Sequence, residues 1–256
     1  MYKLIVLDLD GTLLNSEKKI SEGNLAALKR AREDGALIAF STARSAGAMR
    51  EYIAAVQPDI LISNGGALVE RGNDVLFKRQ LPAESVRHII KRCLELSDGK
   101  CEITIDTDFG YFWNYKPDCD FSRYETPDNV RHCGFSNFDH PAYKVTAEVE
   151  RAEDAEKLAA EVPDCGTLSF RGEIWRRFAH IEATKRNALE HICGGLSIEP
   201  REILAFGDDM NDLEMLGYCT GVAMGNALPE VKAAAKFVAD TNDNDGVAEF
   251  LNNIRG

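Results

Sequence analysis

Two short acidic stretches lie far apart in the chain: Asp8-Leu9-Asp10-Gly11-Thr12 near its start and Gly207-Asp208-Asp209-Met210-Asn211-Asp212 near its end. Each follows an apolar run, 4–7 and 203–206, of the kind that forms a strand buried on both faces of a parallel sheet. An ionised carboxylate is costly to bury without a partner, so a strand running straight into aspartates delivers charge rather than packing. Taken alone, 8–11 reads equally well as an Asp-Gly turn and Asp208 as a helix N-cap. Together they agree. If the two strands are neighbours in a parallel sheet, both clusters sit on one edge, where open α/β sheets place their sites. Carboxylates held that close repel one another unless a cation lies between them. All-oxygen donors favour a hard ion, and Mg²⁺ with some retained water suits them.

Two more positions suit a phosphate. Thr42 stands just past a strand end, where its hydroxyl and nearby amides at a helix N-terminus would face an anion, although a plain N-cap explains it too. Lys185 follows Thr184 at the start of a helix, the unfavourable end for a cation unless an anion faces it; a solvated lysine is the alternative.

The elements that must position these residues alternate regularly. Ser21 caps a helix over 22–34 that stops at Gly35, a second buried strand covers 36–40, a helix 45–56, and a third strand 59–63. This β-α-β-α-β rhythm is that of a doubly wound parallel sheet. It then breaks. A hairpin over 67–80 turns at Gly72-Asn73, a helix follows over 82–97, and alternating strands at 102–106, 143–147 and 175–178 flank a helix at 153–162. From Thr184 the first rhythm resumes, with helices over 184–192, after Asn211, over 229–235 and over 247–254, and strands at 203–206, 221–224 and 237–238. The expected fold is α/β: a Rossmann-like, doubly wound parallel sheet core of residues 1–80 and 182–256, with an inserted α+β cap domain at 81–181.

The 256 residues carry a formal net charge of −12, which argues against sequence-independent binding to nucleic acid or to an anionic membrane. It also makes an anionic substrate paradoxical unless a metal ion reverses the field locally. Seven cysteines, without Cys-x-x-Cys spacing and without a signal-peptide-like start, fit reduced thiols in a cytoplasmic protein. No apolar stretch approaches the roughly 20 residues that span a bilayer. Cys119, His132, Cys133 and His140 are a conceivable zinc set, but with no usual ligand spacing.

In order, 8–12, Ser41-Thr42-Ala43-Arg44, Lys185 and 207–212 resemble the four signature motifs of the haloacid-dehalogenase-like hydrolases. The insertion between the second and third motifs, Asn64-Gly65-Gly66 and Asp245-Gly246-Val247 are similar to the Cof-type sugar-phosphatase branch with its C2-type cap. The resemblance implies that Asp8 is a nucleophile receiving the phosphoryl group. Asp10 would then be the proton carrier and Lys185 the cation beside them. It implies Mg²⁺ held by Asp8, the Asp10 carbonyl and Asp208, and phosphate held by the Leu9 and Ala43 amides, Thr42, Lys185 and Asn211. Asp212 and Asp209 would orient the metal shell from behind. Ala43 departs from the usual Gly and Arg186 from the usual Gly after the lysine. Arg186 is expected to face solvent, and Arg44 to form a structural ion pair. In the cap, Trp113, Tyr115, Trp175, Arg176 and Arg177 are either a specificity surface or core packing with solvated strand positions. The expected substrate is a small phosphorylated metabolite, handled by a monomer or weak homodimer. A sugar phosphomutase and a catalytically silent metabolite-binding protein are the alternatives.

Overall fold

The structure, a computed structural model, describes residues 2–116, 130–169 and 173–254. The chain opens with β1 (Leu4–Leu7), every residue of which is buried. Helix α1 (Glu22–Glu33) is started by Ser21, whose Oγ accepts from the Asn24 N–H at 3.0 Å. Strand β2 (Leu37–Ser41) follows. The helix expected over 45–56 is split into a 3₁₀ turn, Ala46–Met49, and α2 (Arg50–Val56). Gly47 in the first turn weakens the α conformation there, and Ser45 makes no side-chain cap bond. Then come β3 (Ile60–Ser63) and a hairpin of β4 (Leu68–Arg71) and β5 (Asp74–Lys78).

The middle of the chain forms α3 (Ala83–Leu96), β6 (Ile103–Thr107), β7 (Gly110–Trp113), β8 (Val130–His132), β9 (Lys144–Glu148), α4 (Ala152–Ala160), β10 (Cys165–Ser169) and β11 (Trp175–His180). The last part adds α5 (Lys185–Leu196), β12 (Ile203–Gly207), a 3₁₀ turn Met210–Asp212 leading into α6 (Leu213–Tyr218), β13 (Thr220–Ala223), α7 (Pro229–Ala234), β14 (Phe237–Val238) and α8 (Gly246–Asn253).

The chain divides into two compact units, Met1–Phe77 with Thr184–Gly256, and Lys78–Ala183. The first is an α/β unit around an eight-stranded sheet of order β14-β13-β12-β1-β2-β3-β4-β5. The pairs from β14 to β3 are parallel, and β4 runs antiparallel to β3. Strand β1 lies between β2 and β12, so the strand order reverses at β1, the position where such sheets open a crevice at their carboxyl edge. The register pairs Leu7 with Phe206, which brings Asp8 beside Gly207 at that edge. Burying Leu4, Leu7, Phe40 and Phe206 completely stabilises this frame by roughly 1.5–3 kcal/mol per side chain.

The second unit holds a six-stranded sheet of order β10-β11-β9-β6-β7-β8, with α3 and α4 packed on its apolar core. Its pairs are antiparallel except β7–β8, which are parallel. Strands β7, β8 and β10 are short and half-exposed, with little alternation in the sequence to announce them. Among the described residues no helix is long and apolar enough to cross a membrane.

Candidate active site

The end of β1 sets Asp8 almost fully buried, at 5% exposure, against the first residue of α5. Thr184 caps that helix by accepting from the Asn187 N–H at 3.1 Å, which fixes Lys185 at its first turn. Lys185, 2% exposed, donates from Nζ to Asp8 Oδ1 at 2.7 Å and to Asp212 Oδ1 at 2.6 Å. The cation at the unfavourable helix end is therefore met by two carboxylates. Asn64, Gly65 and Gly66 all have left-handed backbones, and a Cβ on Gly66 would lie 2.2 Å from the Thr184 carbonyl. The close approach of this turn supports the Thr184–Lys185 peptide from behind.

The end of β12 supplies the rest. Asp212 is fully buried, and its Oδ2 accepts the amides of Asp208 at 3.1 Å and Asp209 at 3.2 Å. Asp208 Oδ1 accepts from Thr12 Oγ1 at 3.0 Å. Gly11, with φ +70°, lets the first acidic turn come this near, since a Cβ there would lie 2.3 Å from Asp208 Oδ2. Asp8, Asp208 and Asp212 each offer an oxygen within 4.8 Å of the others. Asp209 does not join them; its Oδ1 caps the local turn through the Met210 N–H at 2.8 Å.

The electrostatics follow from this crowding. Burial above all pushes Asp8 well above the usual carboxylate range; Lys185 opposes the shift, and the Asp212 and Asp208 charges add to it. Burial, with Asp212, lifts Asp208 to about 7. Burial works against the Lys185 charge, but Asp212 and Asp8 outweigh it and hold the ammonium firmly protonated. One lysine thus faces three carboxylates. Hard, all-oxygen donors in this number and spacing fit a small divalent cation, whose charge would complete the neutralisation.

Asp208 sets an expected pH dependence for the protein in EDTA. Its folded pKa of about 7 lies above the unfolded value near ~3.9. Between these limits the folded state binds the additional proton, so this group makes stability fall as pH rises from about 4 to about 7. Asp10, held near 2, acts in the opposite sense but only below about 4. Urea denaturation in EDTA across this window checks the expectation. A flat profile would contradict it, and saturating Mg²⁺ should remove the slope.

Asp10 lies apart from the three. Burial opposes its ionisation, yet Arg44 and Lys18 hold its carboxyl at about 2. Arg44 donates from Nε to Oδ2 at 2.7 Å and from Nη2 to Oδ1 at 2.6 Å, while Lys18 Nζ reaches Oδ1 at 2.6 Å. Arg44 itself packs over Tyr52 and donates to the Ala48 carbonyl. The ion pair expected of Arg44 is present, and its partner is Asp10. Lys18 was not legible as part of this group, because it sits in an irregular loop with a left-handed backbone and no motif around it. Thr42 is buried, and its Oγ1 accepts from the Arg44 N–H at 3.2 Å. Leu9 is fully buried and Ala43 half-buried on the same edge. Asn211 Oδ1 is buried with no hydrogen-bond partner.

The sequence matches the haloacid dehalogenase-like hydrolases over residues 5–251. The chain belongs to that family. It is 31% identical over 261 residues to the 5-amino-6-(5-phospho-D-ribitylamino)uracil phosphatase YitU of Bacillus subtilis (strain 168), covering 97% of this chain and 96% of that one. It is 27% identical over 270 residues to the HMP-PP phosphatase of Klebsiella pneumoniae (strain 342), covering 98% and 95% of the two chains. The crystal structure of a haloacid dehalogenase-like hydrolase from Bacteroides thetaiotaomicron matches with a TM-score of 0.85 at 26% identity, over 99% of this chain and 100% of that one.

Arg186 pairs with Glu190 at 3.8 Å and lies over the Tyr218 ring, on the helix surface. Within the second unit, Trp113 is 1% exposed and meets Tyr115 edge-to-face. Arg176 is spent on the carbonyls of Glu173, Trp175 and Glu150, and Arg177 donates to the Ala183 carbonyl at 2.8 Å. Trp175 is half-buried. Both arginines thus serve the backbone of their own unit. Of the zinc set, Cys119 lies outside the described residues. His132 packs on Tyr115 and His140 among Phe109, Phe112 and Phe138, so the described members are not gathered as ligands.

Proposed function

We propose that this hydrolase is a Mg²⁺-dependent phosphatase of small phosphorylated metabolites, working through a phosphoryl group carried on Asp8. The observation that carries the reading is the buried Asp8 carboxylate, bonded at 2.7 Å to a fully protonated lysine and flanked by Asp208 and Asp212. An anion cannot ordinarily attack a phosphate monoester, because like charges repel. Lys185 reduces that repulsion from the side of the nucleophile, and Asp212 locks the lysine in place. Bound Mg²⁺, held by Asp8, Asp208 and the Asp10 carbonyl, would supply charge neutralisation for the phosphoryl oxygens.

Oδ2 of Asp8, the oxygen not paired with Lys185, is the attacking atom. It bonds to phosphorus as the ester P–O bond breaks, and the leaving oxygen takes a proton from Asp10. Water then attacks the phosphoryl group with Asp10 as base, restoring Asp8. Splitting the reaction in two lowers each barrier, and a positioned acid or base contributes roughly 10²–10⁴-fold. In the arrangement seen here Asp10 is ionised and committed to Arg44 and Lys18, so its carboxyl must leave both and take up a proton from water before it can serve as the acid. The Leu9 and Ala43 amides, the Thr42 hydroxyl and the Asn211 Nδ2 amide would donate to the phosphate oxygens.

The two phosphatases named above act, by their names, on different compounds, so the substrate is a question for experiment. Phosphate release from a panel of sugar phosphates, nucleotides, pyridoxal phosphate and phosphoglycolate, with Mg²⁺ and with EDTA, tests the reading. Release that requires Mg²⁺ is expected, and its ranking gives the substrate class. Isomerised sugar phosphate without release would point to a mutase, and binding without turnover to a silent metabolite-binding protein.

A further inference from the structure

The loop that joins β1 to α1 carries Asp10 and makes backbone bonds of its own, Leu13 N–H to the Asp8 carbonyl, Asn15 N–H to the Lys19 carbonyl and Lys18 N–H to the Asn15 carbonyl among them. Thr12 and Leu14 N–H reach back to the Leu9 carbonyl at 3.3 and 2.9 Å, and an isolated bridge links Asp10 with Leu14. Around Asp10 it is also held by side chains from the far end of the sequence. Asn226, just after β13, donates from Nδ2 to the Gly11 carbonyl at 2.7 Å. Its Oδ1 accepts the Asn242 N–H at 3.1 Å, and Asn242 Nδ2 donates to the Leu14 carbonyl at 2.9 Å. Asp243 completes the strap, accepting both the N–H and the Oγ–H of Ser16 at 2.7 Å. The two asparagines are thus chained to each other. They grip the carbonyl that follows Asp10 and the carbonyl of its bridge partner.

We propose that Asn226 and Asn242 are positioning residues for Asp10. The assignment rests on the phosphatase reading above. Neither side chain contacts the acidic cluster. They act by fixing the two backbone points between which the Asp10 carboxyl must swing, away from Arg44 and Lys18 and toward the leaving oxygen. Asp8 belongs to the end of a fully buried strand and does not depend on them. Loss of the strap should therefore impair proton transfer and spare nucleophilic attack. Asn226 is exposed, and its two hydrogen bonds are a small part of the stability of the fold, so their removal leaves a folded protein.

The leaving group separates the two effects. p-Nitrophenolate departs without a proton, whereas the alkoxide of a sugar phosphate needs one. With Mg²⁺ present, Asn226→Ala should lose roughly tenfold or more in kcat/KM on glucose 6-phosphate (or the best alkyl ester of the panel) and less than about threefold on p-nitrophenyl phosphate. Asn242→Ala should show the same selectivity, and Asp10→Asn the same pattern in exaggerated form. Thermal melts establish that each variant is folded. Equal losses on both esters, or no loss on either, overturn the assignment while leaving the phosphatase reading intact. A wild type that releases phosphate from neither ester, or an Asp8→Asn variant as active as wild type, overturns the reading and the assignment with it.

Discussion

Asp8→Asn is expected to lower phosphate release by at least roughly 1,000-fold, since the amide is no nucleophile toward phosphorus and the covalent route is closed. The same change should leave thermal stability unaltered or raise it. Burial and the neighbouring carboxylates make the Asp8 charge costly, and Lys185 keeps its bond to Asp212 when that charge is gone. Activity and stability thus move independently, which separates a chemical role from a structural one. Single-turnover assays beside thermal melts check the pair of outcomes. Unchanged turnover would remove Asp8 as the nucleophile. A melting point lowered by many degrees would instead show that the carboxylate holds the fold together.

Lys185→Met should produce the opposite balance. Methionine fills a similar length but leaves Asp8, Asp208 and Asp212 within 4.8 Å of one another with no cation among them. Breaking a buried charge pair in this way costs about 3–5 kcal/mol. For a chain near this size each kcal/mol lowers Tm by ~2–4 °C, so a fall of roughly 6–20 °C in EDTA is expected. Millimolar Mg²⁺ should restore part of it by supplying the missing charge, a readout that does not depend on catalysis. Melts of wild type and variant, with EDTA and with Mg²⁺, test this. A variant as stable as wild type in EDTA, or one that Mg²⁺ does not help, would refute the charge balance described for this site.

The central architecture was legible because its physics is local. A buried strand between helices reads as a continuous apolar run, and the runs before Asp8 and Asp208 mark both strands and where they end. Lys185 was conspicuous for standing at the wrong end of a helix dipole, a local anomaly with a distant cause. The fate of Asp10 was not legible. Its partners Arg44 and Lys18 come from two loops whose meeting depends on the whole carboxyl edge, and nothing near Lys18 in the sequence marks it. Asp212 was expected behind the metal shell. One of its oxygens lies within 4.8 Å of oxygens of Asp8 and Asp208, because the Met210–Asp212 turn doubles back beneath the Asp208 amide. In the second unit, edge strands such as β8 and β10 lack the burial that stamps a pattern on a sequence.

The placement of β1 between β2 and β12 also has a consequence for synthesis. Residues 4–7 find β2 within a few dozen residues of synthesis, but their other neighbour, 203–207, is made about 200 residues later. At roughly 5–20 residues per second, that flank of the most apolar strand stays uncovered for about 10–40 s. The interval is spent making the middle unit, which has an apolar core of its own and can fold meanwhile. Until β12 docks, Asp8 has neither its lysine nor its acidic neighbours, so a nascent or truncated chain carries the nucleophile without the means to use it. Activity is in this sense a late signal, given only once synthesis has passed β12 and that strand has closed upon β1.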